Sequence, residues 1–508
     1  MELKSISFII FALIIAIAYF SLGHIKNCQK YIILLANIAF ILLASDKKSL
    51  LLITCCVFVS YVCGILIENS LKEKRKGKAH ALLLIGIILH VMILCYFKFF
   101  KDTFIIVQNL LDSKGITIGA LVSPIGISYF TLTMVAYIHD IYHKKHAAER
   151  NFLDYFTFIT YFPSIIQGPV NLYKKVMPQF KTEHYADSQR IYKGAMRSLW
   201  GYVKKVVIAD RIGIIVISVL QNEESAGFII LWALILYSFQ IYADFSGGID
   251  VIMGFSEILD IKLTENFKSP LVSKSVTEYW QRWHMSLGEF MEKYIYYPIV
   301  LNKNVIKMSK KIKNSYFQKV FSATLASIIV FVIVGIWHGT GWNYVVYGCY
   351  QAAFVASAVL LGPVYKNVKS KLRINEKSIT WVIFQTLRTF IILTIGRYFI
   401  RAKSLSQAME LFKRTFSEFS WRGVHVLFDG SMNNYGLDYK NVYFMYMCIL
   451  IMICVDIVHE KGIKIRDVIL QQDIVFRFFV YLAAVFAIII FGIYGPEFNA
   501  SSFIYAEF

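Results

Sequence analysis

The chain has 508 residues, of which 57% are hydrophobic and only 17% are charged. Soluble domains average about 45–50% apolar and about 25% charged residues, so this composition indicates a protein whose solvent is lipid. It excludes an intrinsically disordered chain, collagen and a small disulfide-framed secreted fold. The net charge is +20, but the cations cluster in short loops between apolar runs, as orienting loops of membrane proteins do. We therefore expect a polytopic membrane protein and no nucleic-acid partner.

Apolar runs follow one another along the chain. The first, from Ser5 to Gly23, is too long for a signal peptide and has no small-residue cleavage site after it. The others cover residues 31–45, 49–68, 80–98, 120–139, 152–167, 195–220, 227–243, 318–337, 342–362, 379–400, 441–457 and 473–493. They predict an all-α membrane protein of about a dozen helices in a single integral domain, residues 1–508. Runs within 120–167 and 227–260 are candidates for re-entrant or tilted segments.

The clearest ionisable residue in an apolar setting is His338, which follows the run 318–337. Such a residue is costly in a bilayer and is therefore a candidate for function. The neighbouring Gly335 and Gly339 would allow a substrate or another backbone to approach closely. The residues alone leave open a histidine that merely forms a hydrogen bond between helices.

A second cluster covers residues 278–287. At helical spacing, one face of this stretch would carry Trp280, Trp283 and Leu287, with His284 beside them. An interfacial amphipathic helix with an aromatic belt would show the same pattern. The Trp-His dipeptide recurs at Trp337-His338 beside another membrane run, and this repetition favours a function over a lone structural histidine.

Three further features have weaker signals. Glu278 and Arg282 are four residues apart and are expected to pair. The paired glycines and two carboxylates of residues 242–250, Asp244 among them, suggest a broken helix that lines a polar cavity, as in ion-coupled transporters. Gln167 lies between Pro and Gly in residues 162–170, a pattern typical of a kink or an inter-span turn.

His139 and His143 can share a helix face, as metal ligands do. Their charged neighbours indicate a solvated helix end instead. We therefore expect no metal site.

Several of these stretches match one family in chain order: residues 124–131, 162–169, 204–210, 242–247, 265–267, 279–287 and 337–339. Together they resemble the membrane-bound O-acyltransferase superfamily, in its bacterial branch of alginate O-acetylation proteins and teichoic-acid D-alanyltransferases. The resemblance covers about residues 120–355, with residues 356–508 following as C-terminal helices. It implies a ring of helices around a central tunnel.

The C-terminal third separates the two kinds of relative. Residues 397–404 look like a segment of the alginate branch, and residues 491–495 and 503–508 are similar to its tail. The resemblance is therefore closer to the alginate type. One departure is the stretch 297–302, which lacks the glycine pair usual in that branch, so alginate itself is not implied.

The resemblance assigns roles to both histidines. In the family, the intramembrane histidine, here His338, is catalytic, and His284 matches a second histidine with a positioning or proton-relay role. Further residues expected at the substrate tunnel are Trp283, Trp337, Gly339, Arg282, Asp244 and Gln167. No bound cofactor is implied; the donor would be acetyl-CoA or another cytoplasmic acyl thioester, used as a co-substrate.

The resulting prediction is a multi-pass protein of the bacterial cell membrane, surrounded by lipid, that moves an acetyl group toward an exported polysaccharide. The alginate branch works with extracytoplasmic partners of the Ser-His-Asp esterase-like type. This chain has no Gly-x-Ser-x-Gly elbow, so that nucleophile would come from a partner. The alternatives are D-alanyl transfer to teichoic acid from a D-alanyl carrier protein, a transporter or flippase, and a non-catalytic scaffold.

Overall fold

The computed structural model describes residues 1–25, 27–100, 123–417 and 419–494. Its α-helices are α1 (Ile6–Ser21), α2 (Cys28–Ala44), α3 (Lys47–Lys72), α4 (Lys76–Cys95), α5 (Ile127–Tyr142), α6 (Phe152–Ile159), α7 (Tyr173–Phe180), α8 (Ser188–Tyr202), α9 (Asp210–Gln221), α10 (Phe228–Ile258), α11 (Val276–Arg282), α12 (Met285–Met291), α13 (Tyr297–Val300), α14 (Lys303–Lys310), α15 (Ser315–His338), α16 (Trp342–Leu360), α17 (Gly362–Lys371), α18 (Ile379–Arg401), α19 (Leu405–Ser417), α20 (Tyr439–Glu460), α21 (Ile465–Leu470) and α22 (Ile474–Phe491). Segments of π-helix occur at Tyr96–Phe100, Val203–Ala209 and Glu292–Tyr296. The all-α prediction is confirmed.

Seven helices in the described ranges are long and apolar enough to cross a membrane. They are α3, α4 with its π-helical extension, α10, α15, α18, α20 and α22. An eighth span is obtained if α16 and α17, which meet at a bend of 65°, are counted together. The multi-pass prediction is confirmed, while α1 and α2 are apolar but shorter.

Neither the predicted run 152–167 nor the run 195–220 contains a helix that qualifies as a span. Residues 152–167 contain only α6, which is followed by turns because Pro163 and Gly168 interrupt regular helix. Residues 195–220 form α8, a π-helical segment and α9, and they bury charged side chains among the apolar ones. The start of the run 120–139 and most of the C-terminal stretches 491–495 and 503–508 lie outside the described residues.

The described chain divides into two compact units. The first comprises Met1–Gly201 and Gly248–Thr264, and in it α3, α4 and α5 pack against one another. The second comprises Tyr202–Gly247 and residues 265–494, and in it α15 and α16 form a hairpin, with α18 packed on α16. The single integral domain stays a prediction.

The α15–α16 hairpin depends on small residues where its helices approach. A Cβ atom added to Gly335 would lie 2.4 Å from the carbonyl oxygen of Tyr344 and 3.0 Å from the Cα atom of Gly348. The backbones therefore meet where neither helix carries a side chain. This is the close approach of another backbone that the glycine pattern predicts, and it fixes the end of α15 at which His338 lies.

Candidate active site

His338 is the last residue of α15 and is buried in the second unit. Its ring centroid lies 5.1 Å from that of Trp337 and 6.4 Å from that of Tyr347 on α16. The turn after it is held by the side chain of Asn343, whose amide donates to the carbonyls of Phe399 and Ala402 at 3.0 and 2.9 Å. The histidine therefore sits on packed helices and not on a loose loop.

His284 lies between α11 and α12, with the left-handed backbone angles φ 49° and ψ 50°. The prediction of one continuous helical face through residues 280–287 is therefore wrong. The physical reason is a neighbouring extended segment: Lys268 donates its N–H to the carbonyl of Arg282 at 3.0 Å, and Met285 donates to the carbonyl of Asn266 at 3.0 Å. These bonds replace those that a continuing helix would make.

The side chain of Asn266 orients His284. Its oxygen accepts the backbone N–H of Ser286 at 3.0 Å and the hydroxyl of Ser286 at 2.7 Å, and it lies 3.4 Å from Nδ1 of His284. Because a backbone N–H can only donate, the amide oxygen faces this group, and Nδ1 of His284 is the donor. Nε2 is then the basic nitrogen of the ring. Burial lowers the pKa of His284 to about 3, so the ring is neutral at neutral pH.

Trp337 brings the two histidines into one cluster. Its ring centroid lies 6.1 Å from that of His284 and 5.1 Å from that of His338. Phe245 of α10 contacts the other side of His284, with centroids 4.9 Å apart and planes at 80°. All four rings belong to the second unit. The structure thus assembles two imidazoles within a buried aromatic wall, where water is scarce and a neutral base keeps its lone pair.

Trp283 packs beside this cluster. It stacks on Tyr279 with ring centroids 5.4 Å apart, and it meets Phe267 edge-on at 5.0 Å. The buried guanidinium of Arg397 lies 5.9 Å over the Trp283 ring and donates to the hydroxyl of Tyr279 at 3.1 Å. Sequence reasoning did not assign Arg397 or Tyr279 to the site. A small pocket borders both residues, and it is lined also by Ser238, Pro270, Leu271, Ser273, Thr389, Phe390 and Leu393.

Asp244 lies inside α10, which runs without a break for 31 residues. The prediction of a broken helix at this point is wrong. A cation from another segment balances the charge of the Asp244 carboxylate, so the helix can continue through this position. Lys205 places its Nζ atom 2.5 Å from Asp244 and 2.9 Å from Asp210, and all three side chains are almost fully buried. We call these three residues the Lys205 cluster. Since Phe245 follows Asp244 directly, the cluster lies one residue from the wall around His284.

The lysine of this cluster stays charged. Burial lowers the pKa of Lys205, but the two carboxylates outweigh burial and raise the pKa above its ordinary value. The lysine comes from the π-helical segment Val203–Ala209, a helix type that is frequent at functional positions. The signal that could have found it is two adjacent lysines, Lys204 and Lys205, inside an apolar run.

The other predicted site residues have different surroundings. Arg282 pairs with Glu278 at 2.7 Å, as its spacing predicts, and with Glu460 at the end of α20 at 2.6 Å. Gly339 packs under Tyr344, since an added Cβ atom would lie 2.2 Å from that ring. Arg282 therefore joins α11 to α20, and Gly339 makes room for a side chain of its own unit.

Gln167 is fully buried in the turns that follow α6 in the first unit. The predicted turn is therefore present, although α6 before it is not a membrane span. Within the described ranges, neither polar atom of the Gln167 side chain has a hydrogen-bond partner. In the same unit, the rings of His139 and His143 lie 4.3 Å apart. The described residues contain no group of three or more His, Cys, Asp or Glu side chains that could hold a metal ion.

The family follows from the part of the sequence that carries both histidines. The model of the membrane-bound O-acyltransferase (MBOAT) family matches residues 143–399, about half of the chain. The chain belongs to the MBOAT family. The recognition made from the motifs is confirmed, and the protein is an O-acyltransferase of the multi-pass membrane type.

Named relatives of this MBOAT protein include three kinds of enzyme. The peptidoglycan O-acetyltransferase of Helicobacter pylori is 30% identical over 428 residues, which cover 78% of this chain and 76% of the relative. A probable alginate O-acetylase, AlgI, of Pseudomonas aeruginosa is 30% identical over 354 residues, covering 68% of this chain and 62% of the relative. The teichoic acid D-alanyltransferase of Bacillus subtilis is 29% identical over 245 residues, covering 46% of this chain and 58% of the relative. The chain thus spans less than two thirds of that alginate O-acetylase.

Proposed function

We propose that this MBOAT protein moves an acetyl group from a cytoplasmic acyl thioester, acetyl-CoA, toward an exported cell-surface polysaccharide. The observation that carries the proposal is the pair of buried histidines, His284 and His338, with Trp337 in contact with both rings. The choice of acetyl is supported by relatives whose names are peptidoglycan O-acetyltransferase and alginate O-acetylase. Both names describe O-acetylation of a cell-surface glycan.

In the proposed reaction, His338 is the general base. A hydroxyl oxygen of the acceptor attacks the carbonyl carbon of the thioester, and the imidazole of His338 accepts the hydroxyl proton. The carbon–sulfur bond then breaks, and the departing thiolate takes the proton from His338. The catalyst is thereby restored, and an ester and a free thiol are the products.

His284 is proposed as a positioning residue. Its neutral ring is oriented by Asn266 and lies against Trp337, the neighbour of the general base. A ring with so low a pKa does not carry a proton at neutral pH, which favours orientation and hydrogen bonding over proton storage. The aromatic wall of Phe245, Trp283 and Trp337 would exclude water that could hydrolyse the thioester.

The acceptor hydroxyl belongs either to the glycan or to a carrier nucleophile on a partner. We propose a separate extracytoplasmic acyltransferase of the Ser-His-Asp esterase-like type as that partner, because this chain lacks the corresponding serine elbow. In this arrangement the MBOAT protein carries the acetyl group across the membrane and the partner completes the ester on the sugar.

The test is acetyl transfer in membranes supplied with radiolabelled acetyl-CoA. We expect labelled glycan or labelled partner with the wild-type chain and at least about a hundredfold less with His338→Ala, as for removal of a general base. His90→Ala is the matched control, since His90 is equally buried but lies on α4 in the first unit. Equal labelling by wild type and His338→Ala would contradict the assignment.

D-alanyl transfer to teichoic acid is the second candidate, and the likeness to the Bacillus subtilis teichoic acid D-alanyltransferase favours it. The same membranes supplied with a D-alanyl carrier protein separate the two. If only the D-alanyl donor gives labelled product, the transferred group is D-alanyl and not acetyl, and the proposed roles of the two histidines stay the same. The transporter alternative depends on a broken helix at residues 242–250, and α10 has no such break.

A further inference from the structure

One end of the α15–α16 hairpin carries a concentration of positive charge. Between Glu292 and Glu376 the sequence contains no acidic residue. The cations in and beside the two short helices there are Lys303, Lys307, Lys310, Lys311, Lys313, Lys366, Lys369, Lys371 and Arg373. We call the surface formed by α14 and α17, with the residues that directly follow each helix, the basic end.

The two short helices lie at the same end of the hairpin. Tyr316, near the start of α15, donates its hydroxyl proton to the carbonyl of Val359, near the end of α16. Gly335, near the end of α15, meets Gly348 of α16. The two helices of the hairpin are therefore antiparallel. Since α14 precedes α15 and α17 follows α16, both short helices adjoin the same end of the hairpin. His338 lies at the opposite terminus of α15.

Apolar side chains are exposed between these cations. On α17 and just after it, Val364, Tyr365, Val368 and Leu372 are 53%, 46%, 46% and 67% exposed, and on α14 Met308 is 51% exposed. In addition, α17 leaves the direction of α16 at a bend of 65°. A helix that turns away from the α15–α16 hairpin and mixes exposed apolar side chains with lysines has the composition of one that lies in the membrane–water interface.

We propose that the basic end is a binding surface for the phosphate headgroups of anionic phospholipids, with its apolar side chains inserted at the acyl boundary. The lysines are complementary in charge to the phosphate groups. The apolar residues between them favour a lipid as the ligand, because an acidic soluble protein would bury these residues only if it had a matching apolar patch. By the positive-inside rule this end of the hairpin faces the cytoplasm. The proposal is independent of the acyl group that the enzyme transfers.

The experiment titrates the detergent-solubilised full-length protein with fluorescent phosphatidylglycerol, and with phosphatidylcholine as the neutral reference. One variant replaces Lys307, Lys310, Lys311 and Lys313 by Gln. Its matched control replaces the same four residues by Arg, which keeps the charge at the same positions. A second variant, Lys366→Gln, Lys371→Gln and Arg373→Gln, tests α17 separately and leaves the pair of Lys369 and Glu376 at 2.8 Å intact.

We expect the wild-type chain to prefer phosphatidylglycerol at low salt and to lose the preference at high salt. The quadruple Gln variant should bind it about tenfold more weakly or worse, while the Arg variant binds like wild type. Unchanged binding by both Gln variants would overturn the proposal. So would a wild-type chain without preference between the two lipids, including one that instead binds a purified acidic acyl carrier protein through these lysines.

Discussion

Each unit contains lysines paired with buried carboxylates, but the two arrangements differ in their access to water. In the first unit, Lys181 places Nζ 2.6 Å from Glu149, and the Lys181 side chain is 46% exposed. In the second unit, the Lys205 cluster has side-chain exposures of 0%, 2% and 2%. Lys181 keeps much of its hydration, whereas Lys205 is shielded from water and lies between two carboxylates.

This difference in exposure gives the Lys181–Glu149 pair and the Lys205 cluster different effects on stability. A pair whose lysine is half-exposed adds little to the stability of the fold, because water solvates the lysine in both the unfolded and the folded state. A dry cluster contributes little net stability when complete, but it is expensive to break. Because Phe245 adjoins Asp244 and contacts His284, damage to the Lys205 cluster reaches the candidate active site.

The strongest way to expose this difference is Lys205→Met. It leaves Asp210 and Asp244 buried without their cation, which costs about 3–5 kcal/mol by analogy with broken buried pairs. We expect a large fall in melting temperature in detergent and loss of acetyl transfer. The triple variant with Asp210→Asn and Asp244→Asn should recover most of the stability, because the uncompensated charges are removed.

The matched change in the first unit is Lys181→Met. Since Lys181 is half-exposed, we expect a loss of about 0.2–1 kcal/mol and transfer activity close to wild type. Melting temperatures of the two variants in the same detergent measure the contrast. If Lys181→Met costs as much as Lys205→Met, the distinction between the clusters is wrong.

A smaller effect is expected for Asn266→Ala in the candidate active site, where the Asn266 side chain contacts His284 and Ser286. The change removes the acceptor shared by Ser286 and His284, for about 1–3 kcal/mol of stability. We expect transfer to fall by about tenfold through lost orientation of His284. Asn266→Asp keeps an acceptor oxygen and should retain more activity than Ala. Equal activity of wild type and Asn266→Ala would contradict the orienting role.

A pH dependence is also expected in the first unit. Burial raises the pKa of Glu149, but hydrogen bonds from Lys181, Tyr173 and the backbone of Asn151 outweigh it and lower the pKa to about 2. A lowered carboxyl pKa stabilises the fold above the ordinary value of 4.5, and this stability is lost as the pH falls toward 2. The melting temperature of wild type should therefore approach that of Glu149→Gln over this interval. Glu224→Gln, at an exposed position, should show no such convergence.

Much of the fold was predictable because lipid imposes one requirement on every span. Long apolar runs such as 49–68 and 318–337 correspond to α3 and α15, since a helix satisfies its own backbone in lipid. The runs 152–167 and 195–220 were wrongly predicted to be spans. The mean apolarity of a run does not show that Pro163 interrupts a helix or that Lys205 pairs with two carboxylates. Pro163 acts locally, whereas one carboxylate partner of Lys205, Asp244, is 39 positions away in the chain.

The site was predictable in its residues but not in its geometry. The motifs identified His284 and His338, and Trp337 joins them in the structure. The break at His284 depends on backbone bonds from residues 266–268, which periodicity within 278–287 cannot show. Arg397 is more than a hundred positions from Trp283 in the chain, so their contact required the packed fold.

The unbroken course of α10 has a consequence for how the protein enters the membrane. Its 31 residues make a rod about 46 Å long, whereas a hydrocarbon core is about 30 Å thick. The rod must tilt or extend beyond the core, and Asp244 lies near the middle of the rod. Its counter-ion arrives on a different segment, one made earlier during synthesis. A charged Asp244 in the middle of this helix is costly in lipid without a cation, so insertion of α10 is less costly when Lys205 packs against it.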